Sequence, residues 1–188
     1  MADEPNAMSE RTYVALLRGV NVGGKNRLPM RDLVSLLEDA GCCDVQTYIQ
    51  SGNVICCAQV GLASRLPALI EGAVAERWGF HVPVVVRTRD ELRAVAEGNP
   101  FLETGVDVER LHVVFLADAP SPAHVAALDP DRSPPDRFVV HGHEIYLHCP
   151  NGVARTKLTN QYFDSKLATT STMRNWRTVL KLLELAGG

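Results

Sequence analysis

VQTYIQSGNVICC, residues 45 to 57, decides the fold. VQTYIQ (45–50) reads as a strand, NVICC (53–57) as its return, and Ser51-Gly52 as a two-residue turn between them. Upstream, TYVALLRG (12–19) is apolar enough for a buried strand. A helix follows, with Pro29 in its first turn, Met30, Leu33, Leu36 and Leu37 on one face, and Gly41 as its stop. Downstream, Leu62, Leu66, Leu69, Ile70, Ala73 and Val74 form a second helical stripe that ends at Gly79. HVPVVVR (81–87) is a fourth strand, and Pro83 suits it to a sheet edge. The order is βαββαβ, the ferredoxin-like pattern.

The pattern then restarts. Thr88 and Glu91 form a capping box that opens a short helix, which Asn99-Pro100 ends. LHVVFLAD (111–118) is a strand, and Ser121-Pro122 starts a short helix. RFVVH (137–141) and EIYLHC (144–149) form a hairpin around Gly142. A helix over 159–167 precedes a short edge strand, ATTS (168–171). The last helix is expected from about Met173, with Trp176, Val179, Leu180 and Leu183 as its stripe. The expected fold is therefore α+β: two tandem ferredoxin-like (βαββαβ) domains with an extra C-terminal helix. The expected bounds are 11–88 for the first domain, 89–110 for a linker helix and loop, and 111–188 for the second. Residues 1–10 are set aside as a loose tail or an expression leftover, with Met8 a candidate start.

The 188-residue chain is 46% hydrophobic and 22% charged, and it carries a net charge of −3. No apolar run approaches the roughly 18 residues of a membrane span. The polar MADEPNAMSE start lacks the apolar core of a signal peptide. A cytoplasmic protein with no membrane partner is expected. The five cysteines are Cys42, Cys43, Cys56, Cys57 and Cys149. They match no zinc or C-x-x-C spacing and read as buried small hydrophobes, so no metal site is expected. Negative net charge argues against a general nucleic-acid binder, but the basic residues are unevenly placed. Residues 11–31 and 151–188 together hold 11 of the 19 Lys and Arg residues, against 2 of the 22 acids. If the two segments meet, they make a positive site in a negative protein.

Topology brings two loops together. In a ferredoxin-like sheet, the loop after strand 1 and the strand 2–3 turn share one end. Arg18, Asn21, Gly23, Gly24 and Lys25 then converge with Gln50, Ser51 and Asn53. By the same logic, Lys157, Arg174 and Asn175 gather at the start of the last helix, where free N–H groups favour an anion. GVNVGGKN (19–26) has Walker spacing but is not a P-loop. Asn26 stands where a magnesium-holding hydroxyl belongs, and Arg27-Leu28-Pro29 separate Lys25 from its helix. His141, His143 and His148 lack a convincing acidic third ligand and read as exposed turn residues. Ser51 lies outside a G-x-S-x-G elbow, and nothing identifies a base for it. The central strand NVICC carries none of the aromatics of a sheet-face RNA reader.

These residues resemble a known family, the bacterial proteins catalogued as domain of unknown function 1697. The motifs that carry the resemblance are YVALLRGVNVGGKNRLPM, DVQTYIQSGNV, VPVVVRT, NPF (99–101), LHVVFL, EIYLHCPNG and RNWRTV. They run from about Tyr13 to the C-terminus. The family usually has Ile at Val20 and often Ser at Thr156. The resemblance implies two α+β domains and no established activity, cofactor or catalytic residue. It also implies that Arg18, Asn21, Gly23, Gly24, Gln50, Ser51, Gly52, Asn53, Lys157, Arg174, Asn175 and Trp176 belong to recurring motifs.

The reading that follows is a protein that binds a phosphate-bearing small molecule. Arg18 and Lys25 supply charge, Asn21, Gln50 and Asn53 orient the ligand, and Gly23 and Gly24 allow close approach. Any reaction there would rest on electrostatic stabilisation of phosphate chemistry. The alternatives are a nucleic-acid module using the same basic clusters and a non-catalytic scaffold or protein-interaction protein. Burial separates them: mutually satisfied Arg18, Asn21 and Asn53 favour a scaffold, and an open pocket favours a ligand.

Overall fold

A computed structural model describes residues 10–187. The expected tail therefore lies outside the described residues, except for Glu10, which already belongs to a strand. The first half runs β1 (Glu10–Leu17), α1 (Met30–Asp39), β2 (Cys43–Tyr48), β3 (Asn53–Gln59), α2 (Val60–Ala63), α3 (Leu66–Trp78), β4 (Val84–Thr88) and α4 (Arg89–Glu97). The second runs β5 (Leu111–Leu116), α5 (Pro122–Ala126), β6 (Arg137–His141), β7 (Glu144–His148), α6 (Asn160–Leu167), β8 (Ser171–Asn175) and α7 (Trp176–Leu185). The fold is mixed α+β with two four-stranded antiparallel sheets, ordered β2-β3-β1-β4 and β6-β7-β5-β8. The chain divides into two compact units. One comprises residues to Leu92 plus the segment from Leu182, and the other is Arg93–Lys181.

In the first unit, α1 buries the expected face of Met30, Leu33, Leu36 and Leu37. It ends in a Schellman turn, in which Gly41 N donates to Glu38 O and Cys42 N to Leu37 O. Gly41 takes φ 98°, a conformation that favours glycine. The α1 face packs with Leu66, Ile70 and Val74 of α3 and with Leu17, Val54 and Cys56 of the sheet. Each fully buried aliphatic side chain there contributes about 1.5–3 kcal/mol. Among the described residues β4 pairs with β1 alone, at the sheet edge, as the proline before it suggests. In the second unit, Val114, Leu116, Ile145 and Leu147 pack against Phe163 and Leu167 of α6.

Four expectations need correction. The β2–β3 connection spans residues 49–52, because the ladder closes at Tyr48 opposite Asn53. The helix over 62–74 is broken at Ser64-Arg65 into α2 and α3. Pro67, in the first turn of α3, has no N–H to continue a helix through that point. The ATTS strand lies further on, as β8, since Ala168 takes the left-handed conformation that ends α6 and Ser171–Asn175 pairs along β5. Finally, α7 starts at Trp176 and buries Trp176, Val179 and Leu182, while Leu180 is 45% exposed.

The later start of α7 reveals a repeat. Arg87 lies opposite Val14 at the end of β4, and Arg174 lies opposite Val113 at the end of β8. Each Nη1 donates to the carbonyl of the preceding residue, at 2.9 Å in both cases. The next residue in each case caps a helix. Thr88 Oγ1 accepts from Glu91 N, and Asn175 Oδ1 accepts from Thr178 N. Each half is thus βαββαβα, with the α2–α3 pair in place of one helix.

Candidate functional site

The loop after β1 folds as a miniature hairpin. Val22 bridges Lys25, Lys25 N donates to Val22 O, and Asn21 N donates to Asn26 O. Gly23 and Gly24 both take positive φ, 59° and 74°. That is the type I′ geometry, which glycine adopts without a Cβ penalty. Asn21 and Asn26 are left-handed as well, the conformation asparagine tolerates best after glycine.

Side chains stitch this loop to the β2–β3 turn. Asn21 Nδ2 donates to Leu28 O and to Gln50 O, both at 2.8 Å, and Asn21 Oδ1 accepts from Leu28 N at 2.9 Å. Asn26 Nδ2 donates to Gly19 O. Asn53 is fully buried, and its Nδ2 donates to Tyr48 O and Ser51 Oγ. Leu17 N donates to Gly52 O, and Arg18 N to Pro83 O. Gly52 fits because it has no side chain. A Cβ there would lie 2.6 Å from Val20 Cγ2 and 2.7 Å from Leu17 Cβ.

The structure therefore joins the 18–26 loop with the 50–53 turn, as topology predicts. It gives their residues unequal parts. Asn21 and Asn53 spend their polar groups on the chain. Arg18 is half-buried and engaged, while Lys25 and Arg27 are exposed. A shallow hollow of about 340 Å³ lies over Asn21, Gly24, Arg27, Leu28, Pro29 and Gln50. The sequence reading left out Arg27. It also left out two apolar tips, Val22 at 62% and Ile49 at 52% exposure. Ile49 takes φ 52°, an outlier for a β-branched residue. No periodicity signals such a residue; only its place two positions before Ser51-Gly52 hints at a longer turn.

The C-terminal candidates belong to the second unit and are largely engaged. Lys157 N donates to the buried Ser133 Oγ, which donates to Asp136 Oδ2, while the Lys157 side chain is exposed. Arg174 Nη1 also donates to Thr172 Oγ1, and burial pulls its guanidinium down to a pKa of about 10. Asn175 is the α7 cap, and Arg177 pairs with Glu109.

His141 and His143 are exposed as expected, but His148 is buried beside Phe101, with ring centroids 5.9 Å apart. Burial lowers the pKa of both His148 and His112, and in His148 Arg137 lowers it further. The Nδ1 of each is buried without a hydrogen-bond partner. Three cysteines, Cys42, Cys56 and Cys149, are buried as expected, whereas Cys43 and Cys57 are half-buried.

A family model described as "Protein of unknown function (DUF1697)" matches residues 10–146. The chain belongs to this family. A search of the curated proteins finds no match. Among solved structures, the chain is similar to the conserved bacterial protein SP0830 from Streptococcus pneumoniae. Identity is 20%, coverage is 95% of this chain and 99% of that one, and the TM-score is 0.69. That likeness shows the fold alone. Among the described residues, no helix is long and apolar enough to cross a membrane.

Proposed function

We propose that this DUF1697 protein binds a phosphate-bearing small molecule with an apolar moiety, of the nucleotide class, on the platform formed by the 18–26 loop and the 49–52 turn. One observation carries the reading. The hydrogen-bonded platform has a basic rim, Lys25 and Arg27, beside two exposed apolar tips, Val22 and Ile49. Lys25 and Arg27 supply charge, Arg18 adds to the positive field, and Gln50 borders the ligand beside Gly24. Asn21, Asn53 and Gly52 hold the platform rather than the ligand. Strain at an exposed β-branched residue is the kind of cost that recognition sites carry. The strand orders also support reading each unit as a ferredoxin-like domain, with this platform at one end of the first sheet.

The test is thermal stability of the purified protein against nucleotides, sugar phosphates, polyphosphate and short RNA and DNA. A ligand at about 100 times its Kd adds about 2.7 kcal/mol. Lys25→Ala and Arg27→Ala should keep the ligand-free stability and lose most of that gain. Unchanged affinity in both variants refutes the proposal. A gain confined to RNA or DNA, with a steep salt dependence, makes the partner a nucleic acid.

One observation favours a second reading. Asn21, Asn26 and Asn53 use their side chains to fix turns, as expected of a scaffold. No stabilisation across the panel leaves that reading.

A further inference from the structure

One cysteine doublet runs into the start of β2 and the other lies in β3, and the register sets Cys43 directly opposite Cys57. In a regular strand, Asp44 would project to the face opposite Cys43. It does not, because the ladder shifts between Cys43 and Gln46 and Asp44 takes φ 51°. This bulge re-aims the carboxylate. One Asp44 oxygen and the sulfurs of Cys43 and Cys57 all lie within 4.8 Å of one another. Glu10 Oε2 lies 3.9 Å from Cys43 Sγ. Asp44 and Cys57 line an open hollow of about 600 Å³ with Thr12 and Gln46, so the group is reachable from solvent.

We propose that Cys43, Cys57 and Asp44 bind a thiophilic divalent cation of the zinc class, with Glu10 as a further oxygen donor. Zinc takes thiolate at about 2.3 Å and carboxylate at about 2.0–2.2 Å in a tetrahedron, which sets donors about 3.5–3.8 Å apart. The side chains reach that spacing by closing about 1 Å, within the range of small χ rotations. Two thiols exclude the hard cations magnesium and calcium as preferred occupants. Because zinc binds thiolate, the cation displaces the thiol protons as it binds.

The experiment is titration of the full chain with cobalt(II), a spectroscopic substitute for zinc. The thiols are first counted as reduced and the protein stripped of metal with a chelator. The expected result is one cobalt per chain, with a thiolate-to-cobalt charge-transfer band that zinc displaces stoichiometrically. Cys43→Ser and Cys57→Ser should abolish the band. Asp44→Asn should keep it and weaken binding by at least about tenfold. Absence of the band in folded, reduced wild-type protein overturns the proposal. So does a band that survives in the Cys43→Ser/Cys57→Ser double variant. The wild-type titration decides even if a variant fails to fold.

Discussion

Replacing Asn21 by alanine removes three hydrogen bonds at once: two donated by Nδ2 to Leu28 O and Gln50 O, and one accepted by Oδ1 from Leu28 N. Each contributes about 0.5–1.5 kcal/mol net. Asn21 is half-exposed, so water replaces part of the loss and the lower half of that range applies. Alanine at φ 55° adds about 1 kcal/mol, because a Cβ-bearing residue without a local hydrogen bond is penalised in the left-handed region. The total is about 2.5–4 kcal/mol. At about 2–4 °C per kcal/mol for a chain of this size, Tm should fall by about 5–15 °C. Urea unfolding followed by circular dichroism measures the loss directly. Asn21→Asp keeps the bond from Leu28 N but turns a carboxylate towards two carbonyls, so it should be at least as damaging. A stability change below about 0.5 kcal/mol in Asn21→Ala would refute the argument. Native stability with lost ligand affinity would make Asn21 a ligand contact instead.

Further outcomes follow from the same geometry. Gly52→Ala should cost about 2–5 kcal/mol, through overpacking against Val20 and Leu17 and the left-handed backbone; soluble yield and urea midpoint check it. Tyr146→Phe should cost about 1 kcal/mol, since the buried hydroxyl donates to Val95 O. Stability should fall as pH drops below about 6.5 and level off once the folded-state pKa values are passed. In that window, unfolded His112 and His148 take up protons that the folded forms, with lowered pKa, refuse. His148→Gln should flatten the slope of urea stability against pH between about 5 and 7, and an unchanged slope removes His148 from the account.

The sequence made much of the fold legible where period and punctuation agree. Met30, Leu33, Leu36 and Leu37 define one helical face, Thr88 and Glu91 form the expected capping box, and Ser121 caps α5. It failed where local preference competes with pairing. Residues 171–175 are polar apart from Met173 and precede a strong apolar stripe, so their backbone bonds to β5 leave no local trace. The meeting of the two loops followed from topology, but their chemistry did not. Asparagine serves equally as a ligand contact and as a left-handed turn residue, and only Leu28 N, Leu28 O and Gln50 O reveal which part Asn21 plays. The cysteine doublets were visible, yet their alignment depends on a bulge at Asp44 that composition does not announce.

The miniature hairpin at residues 21–26 has a kinetic consequence. A long glycine-rich surface loop ordinarily samples many shapes, and its amide protons exchange with solvent almost freely. Here the amides of Asn21, Lys25 and Leu28 are each held by a partner within the loop. They should exchange orders of magnitude more slowly than their position on the surface suggests. If the proposed ligand binds there, it would meet a solid edge, with little configurational entropy left to lose on contact.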